Sequence, residues 1–558
     1  MSLQTLIIRC KNTGKTHRVP AGYNLEQVYD FLELDMPHGA TSAKVNNKTE
    51  GLHFTLFSNK DIEFLNTSSA SGLRTYSRSL LFVLYKAAKD LFPESRLRTE
   101  ISMSGGFYCR LLLPDGQLVG AEHVDALKVR MQEIIDADLP FRRVTAPTVE
   151  AAALFREHGQ EDKALLLECC GKLYTHYYTL DGLPDYFYGS LLVRTGQIYL
   201  FDLVPFGDGL LLRLPDVENP DELRALRPQE KMFDVFRENH RWQDILGIST
   251  IGQMSQACRA GYASTLIHVS EALQEKKISR LADRIAQRPE LRVILIAGPS
   301  SSGKTTFSKR LSVQLAVCGL HPVAISLDDY FVNREKTPLD ADGGYDFEHL
   351  HALNLPLFNE QMRTLLEGGE VELPRFNFLT GKSEKSGQHL RLRDGDLLVL
   401  EGIHALNPEL TAEIPDTCKF RIYASALTSI LLDYHNYIPT TDNRLLRRIV
   451  RDNKYRGYSA LDTIRRWPSV RKGEDRWIFP FQEEADEMVN TALLFELAAL
   501  RGEALPLLEA VPEHEPEYNE AYRLRKFLSY VPPIDTKGMP PTSLLREFLG
   551  GSSFNYSH

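Results

Sequence analysis

The chain has 558 residues, 43% of them hydrophobic and 25% charged, with a formal net charge of −9. That length exceeds what one hydrophobic core serves, so about three domains are expected, and the acidic balance argues against whole-surface attraction to nucleic acid or anionic lipid. Seven scattered cysteines without a Cys-x-x-Cys pair suit reduced thiols, and the lack of a long apolar run or a signal-like start leads us to expect a cytoplasmic protein with no membrane contact.

In chain order, residues 3–8 read as a strand, Thr13-Gly14 as a turn and residues 17–20 as a hairpin partner. Asn24 is placed to cap a short helix that follows it. Residues 1–66 thus form a small α+β module, with the polar run 67–72 as a flexible boundary. A second α+β unit is expected over 67–225. Its helix, 78–91, puts Leu81, Leu84, Tyr85, Ala88 and Leu91 on one face, and its strands include 106–113 and 197–203. Residues 226–290 read as a helical connector. From 291 to 502, strands and helices alternate, which predicts an α/β domain with a parallel sheet covered by helices on both faces. Residues 503–558 form a proline-punctuated tail with one helix near 518–530.

The most informative stretch is Val293-Ile-Leu-Ile-Ala-Gly298-Pro-Ser300-Ser301-Ser302-Gly303-Lys304-Thr305-Thr306. It reads as a buried strand, a phosphate loop and the start of a helix. Glycines at both ends let the backbone curl until its N–H groups converge on a phosphate, and the helix N-terminus adds a positive end. The candidate nucleotide-binding residues are therefore Gly298, Ser300, Ser301, Ser302, Gly303, Lys304, Thr305 and Thr306. Lys304 would reach the terminal phosphates, and the Thr305 hydroxyl would ligate Mg²⁺.

Three further motifs lie where ligands of such sheets bind, beyond the carboxyl ends of strands. Asp328-Asp329 follows the strand at 323–327; one of the two would accept the proton of a substrate hydroxyl, and Asp328 is preferred. Leu397-Leu-Val-Leu-Glu401 ends in a carboxylate able to hold Mg²⁺ through water. From Arg444 to Arg476 there are eleven Lys/Arg against four Asp/Glu, and Arg444, Arg447, Arg448 and Arg451 share one helical face. Such guanidiniums need anions between them, so transferring phosphates are the expected counter-charge and a mobile lid the expected element. The sequence contains no guanine-reading Asn-Lys-x-Asp.

These residues, with Ser326-Leu-Asp-Asp-Tyr330, Tyr345-Asp-Phe-Glu-His349, Pro374-Arg-Phe-Asn-Phe378 and Arg444-Leu-Leu-Arg-Arg-Ile-Val-Arg-Asp452, occur in an order that resembles the uridine kinase branch of the phosphoribulokinase/uridine kinase family. The resemblance spans about 200 residues. It implies a P-loop kinase fold, ATP with Mg²⁺ as donor, a nucleoside 5′-hydroxyl as acceptor, Asp328 as catalytic carboxylate and an Arg-rich lid. It also implies an acceptor site made of Asp328, Tyr330, Glu348 near the ribose hydroxyls, Phe376, Phe378 and Arg444. The Tyr-Asp-Phe segment of such kinases corresponds here to Phe376-Asn377-Phe378, and the histidine that follows it and reads the pyrimidine edge corresponds to Gly381, so altered base recognition is expected.

The first 225 residues resemble the front of threonyl-tRNA synthetases, a TGS domain followed by an editing domain. That resemblance rests on Leu91-Phe-Pro93, Gly105-Gly-Phe-Tyr108 and Thr148-Val-Glu-Ala151. The two helical histidines that line editing sites are replaced by Phe82 and Lys86, so a lost metal site is expected, with RNA binding left open. The leading expectation is an ATP-dependent nucleoside kinase. The alternatives are a kinase of another alcohol or sugar phosphate, and an NTP-gated RNA- or ribosome-binding regulator. Oligomer formation is left open.

Overall fold

Five strands stand side by side in the order His321–Ser326, Asp396–Glu401, Val293–Ala297, Lys419–Ser425 and Glu487–Asn490, each neighbouring pair parallel. This is a computed structural model, and it describes residues 5–114, 116–340 and 343–556. The central strand, Val293–Ala297, is buried along its whole length, because the sheet is covered on both faces. Alternate residues serve opposite sides. Ile294 and Ile296 pack with Phe307, Leu311, Leu315 and Leu281, from helices Lys304–Val317 and Ala263–Ala286. Val293 and Leu295 pack with Ile325, Tyr330 and Phe358, the last from helix Leu355–Leu366. Each such buried aliphatic side chain contributes about 1.5–3 kcal/mol. An antiparallel ribbon, Glu370–Asn377 with Lys382–Arg391, stands beside the sheet.

The front of the chain forms separate sheets. Strands Lys15–Pro20, Thr5–Cys10, Lys60–Leu65, Ser42–Val45 and Lys48–Glu50 lie in that order, with helix Leu25–Phe31 against them. The Asn24 side chain accepts from Gln27 N at 2.8 Å, and Gln27 returns the contact at 3.0 Å, a capping box. Next, helix Ala70–Leu91 shares a core with Phe107, Cys109, Leu210 and Leu212 of the sheet Asp202–Phe206, Gly209–Arg213, Gly106–Leu112, Arg96–Met103. A three-stranded sheet, Leu183–Asp185, Tyr174–Leu180 and Arg142–Pro147, completes this region. Helices Glu230–Leu246, Ile251–Arg259 and Ala263–Ala286 lead to the loop-bearing strand. Among the described residues no helix is long and apolar enough to cross a membrane.

Three expectations are corrected. The polar run at 67–72 starts a helix, since Ser69 Oγ accepts from Gly72 N at 3.1 Å. Residues 197–203 do not form one strand: only 202–206 join a sheet, because the Tyr76 hydroxyl donates to Leu200 O at 2.6 Å and accepts from Leu200 N at 3.0 Å, taking the groups a ladder needs. Helix Glu496–Glu509 runs through position 503, where the tail was expected to begin.

The front and rear regions meet through residues 426–438, which lead from strand Lys419–Ser425 to helix Thr440–Arg456. Leu431 N donates to Ser249 O and Leu431 O accepts from Ile251 N, both at 2.9 Å. At the seam the fully buried Lys163 ammonium lies 2.9 Å from both Asp185 and Asp433. Burial alone would depress its pKa; the carboxylates of Asp185, Asp433 and Asp162 more than offset that and hold it above the ordinary value. His435 Nδ1 lies 2.7 Å from Asp185, and Tyr434 N donates to Asp162 at 2.7 Å. Lys163→Met would strand two buried carboxylates, so urea unfolding should show a loss of about 3–5 kcal/mol; a change under about 1 kcal/mol would mean that water reaches the seam.

Candidate active site

The loop after Ala297 curls over the sheet's carboxyl edge as a sharp backbone turn. A Cβ at Gly298 would lie 2.1 Å from Ala424 O, and Gly303 takes φ +82°, so both positions require glycine. A loop that offers its N–H groups outward must satisfy its carbonyls from behind. Four side chains do so. Lys304 Nζ donates to Pro299 O at 3.3 Å, Arg444 Nε to Ser300 O at 3.0 Å and Arg447 Nη1 to Ser301 O at 3.3 Å, while Thr491 Oγ1 donates to Ser302 O. Ser300 N donates to Glu474 at 3.1 Å.

The charged groups at this edge are arranged around Lys304. Its burial lowers its pKa, opposed by the carboxylates of Glu401, Asp328 and Glu547. Glu401, 9% exposed at the end of its strand, accepts from Thr305 Oγ1 at 3.1 Å and from Ser326 Oγ at 3.3 Å. Burial, and then the charge of Asp328, push its pKa above the carboxylate range. One hydroxyl and one carboxylate short of positive charge suit a hard divalent cation that keeps water and phosphate oxygens as its other ligands. Thr305 and Glu401 therefore fit Mg²⁺, although among the described residues no group of three or more His, Cys, Asp or Glu could hold a metal.

The two aspartates diverge. Asp328, in the turn Leu327–Tyr330, lies in the electrostatic field of Lys304, Glu401 and Arg456. Asp329 turns away and accepts from Phe376 N at 3.3 Å, and burial raises its pKa. Tyr330 is not brought to the cleft: it is 1% exposed, packs edge-on to Phe358, and its hydroxyl donates to Gln361 at 2.7 Å.

Helix Thr440–Arg456 is no free lid. Leu445, Leu446, Ile449 and Val450 lock one side into the core. Its arginines divide into two sets. Arg444 and Arg447 are buried and ion-paired to Glu474 and Glu496, so their counter-charges are protein carboxylates rather than phosphates. Arg448, Arg451 and Arg456 share the single carboxylate of Asp452, at 3.3, 2.8 and 3.6 Å. Repulsion from Arg451, with burial, brings the pKa of Arg456 down to about 10. Arg448 Nη1 also donates to Ser300 Oγ at 3.0 Å. This second set shares too little negative charge, and through Arg448 it reaches the phosphate loop.

On the acceptor side, Phe376 is 9% and Phe378 37% exposed, their rings edge-on at 5.1 Å, with the Arg456 guanidinium 5.5 Å from the Phe378 centroid. At Gly381 the Arg334 side chain fills the space a Cβ would enter. Glu348 lies against helix Ala460–Trp477 near Arg448 and Glu474, and burial pushes its pKa up to about 7. Sequence reasoning counted Arg456 in the basic cluster but missed Glu474, Glu547 and the buried His404, whose pKa burial depresses to about 3. Glu474 and Glu547 belong to no motif; His404 was within reach, as a continuation of the Glu401-Gly402 run.

Residues 293–493 match the Phosphoribulokinase / Uridine kinase family, and this stretch is a domain of that family. The chain is 28% identical over 199 residues to a uridine kinase of Lactobacillus johnsonii, covering 35% of this chain and 85% of that protein. It is also 28% identical over 200 residues to a uridine kinase of Staphylococcus aureus, covering 35% and 86%. Among solved structures, a "Possible Uridine Kinase" from Bacillus stearothermophilus is 21% identical with TM-score 0.24, covering 36% of this chain and 89% of that one. A D-glycerate 3-kinase from Cryptococcus neoformans is 14% identical with TM-score 0.21, covering 48% and 89%.

The two arginine sets should respond differently to truncation. Arg447→Ala leaves Glu496 buried and unpaired, so denaturant unfolding should lose about 3–5 kcal/mol, whereas Arg448→Ala should cost about 1 kcal/mol. Equal losses would erase the division. Glu348 supplies a pH test. With its folded pKa raised from 4.5 to about 7, the native state holds a proton that the unfolded chain has released, so stability falls as pH rises through that window and levels off above it. Glu348→Gln should therefore exceed the parent in stability near pH 8 by about 2 kcal/mol, converging near pH 4. Parallel melting-temperature curves across that range would show that Glu348 is not the group responsible.

Proposed function

We propose that this chain transfers the terminal phosphoryl group of ATP to a hydroxyl of a small acceptor, most simply the 5′-hydroxyl of a nucleoside. The observation that carries this reading is the meeting at one sheet edge of Lys304, the Thr305–Glu401 pair and the carboxylate of Asp328. Mg²⁺ bound with ATP would neutralise the β- and γ-phosphate oxygens. Thr305 would ligate it directly and Glu401 through water. The loop N–H groups and Lys304 hold the phosphates. Asp328 takes the proton of the acceptor hydroxyl as its oxygen bonds to the γ-phosphorus and the bond to the bridging oxygen breaks, releasing ADP. Arg448, Arg451 and Arg456 offset charge that spreads over the transferring oxygens.

A nucleoside acceptor is supported by the relatives named uridine kinase and by the aromatic Phe378, 37% exposed beside Phe376. A second reading, another alcohol, is favoured by Gly381, where the family's histidine is missing and the Arg334 guanidinium, a donor-only group, fills the space instead. Selectivity built on hydrogen bonds is lost with the group that makes them. In the front half, we read 1–66 as a TGS-like and 67–225 as an editing-like domain, followed by a helical connector to 290 and the kinase domain over 291–502. An editing reaction finds no support there: Phe82 packs with Phe141 and Phe187 at 5.9 and 5.7 Å, and Lys86 pairs with Asp90 at 2.6 Å.

Asp328→Asn should lower kcat by about 10²–10⁴ while MgATP binding, read by calorimetry, stays within about threefold. Full turnover in that variant would remove the proposed base. A panel of nucleosides, sugar phosphates and simple alcohols with labelled ATP identifies the acceptor. Transfer to none of them, with RNA co-purifying, would favour a nucleotide-gated RNA-binding protein instead.

A further inference from the structure

The phosphate cradle already holds an anion supplied by the chain itself. Helix Lys304–Val317 begins with N–H groups that no residue of the helix can satisfy, and they stand where the loop receives phosphate. Thr306, in the first turn, donates its N–H to Glu547 at 3.3 Å and its hydroxyl to the same carboxylate oxygen at 2.6 Å. The Tyr556 hydroxyl lies 2.9 Å from Thr306 Oγ1. The segment that carries these groups is seated on the loop: Leu544 occupies the space a Cβ on Gly303 would need, and Phe548 lies against the Arg447 guanidinium, 5.0 Å from its ring centroid. Glu547 also bears on the chemistry of the site, since its charge acts on both Lys304 and Glu401. Lys304 is therefore ringed by three carboxylates, Asp328, Glu401 and Glu547.

We propose that Glu547 is a determinant of nucleotide affinity, its carboxylate competing with a phosphate of the incoming nucleotide for the Thr306 N–H and hydroxyl. The inference rests on the reading of this loop as an ATP site. Two anions cannot share one donor pair, and like charges placed side by side repel strongly where water is excluded. Binding must therefore turn the Glu547 side chain aside. Leu544, Leu545 and Phe548 are fully buried, so the whole segment stays seated and the displacement is local, a rotation of Glu547 with loosening of the turn Arg546–Leu549. Gln at 547 keeps the shape and accepts the same hydrogen bonds, but it carries no charge against the phosphate.

The test is MgATP affinity by calorimetry on the full chain, parent against Glu547→Gln, with melting temperature as the check on folding. Tighter binding in Glu547→Gln by at least about fivefold is expected. Equal or weaker binding by a folded variant overturns the proposal. Binding by neither protein overturns the ATP site itself and this inference with it. Hydrogen exchange on the parent serves independently of the variant: MgATP should speed exchange at the amides of 546–550, and slower or unchanged exchange there counts against competition.

Discussion

Satisfaction of the loop carbonyls from behind is the constraint on which the rest of this site depends. A backbone that turns its N–H groups toward solvent turns its C=O groups inward, where each needs a donor. Here the donors are Lys304, Arg444, Arg447 and Thr491, and two of them are guanidiniums that burial alone would not tolerate. Glu474 and Glu496 make them tolerable. Strand edge, loop, arginine helix and helix Glu496–Glu509 are thereby tied into one electrostatic unit. This explains why a helix so rich in arginine is mostly buried.

The same arrangement sorts charge across the cleft. Carboxylates gather about Lys304, and guanidiniums gather about Asp452. A substrate that carries both phosphates and a divalent cation complements both sides, which neither a bare cation nor a bare anion does. Burial and then the charge of Asp328 raise the pKa of Glu401, while repulsion from Arg451 and then burial depress that of Arg456.

What could be read from the chain follows the range of each interaction. The meeting of the glycine loop, Asp328 and Glu401 at one sheet edge is legible because strand, turn and residue type lie within a few positions of one another in each motif. Helical spacing groups Arg444, Arg447, Arg448 and Arg451, yet it cannot say which two meet protein carboxylates, since Glu474 and Glu496 come 30 and 49 residues later. Tyr330 misleads for the same reason, its hydroxyl partner being 31 residues away. The alternation at 197–203 resembles a strand, but the Tyr76 hydroxyl, 124 residues distant, claims its backbone. Glu547 reaches Thr306 across 241 residues, and no local pattern announces such a contact.

The segment 426–438 gives the two halves a shared foundation. It leaves the sheet, anchors Asp433 and His435 beside Lys163 and Asp185, and only then rises into the helix that bears Arg444 to Arg456. The family-like stretch is thus not a detachable cassette. Cut loose from residues 163, 185 and 249–251, it would keep its motif letters yet lose the footing from which its arginines are aimed.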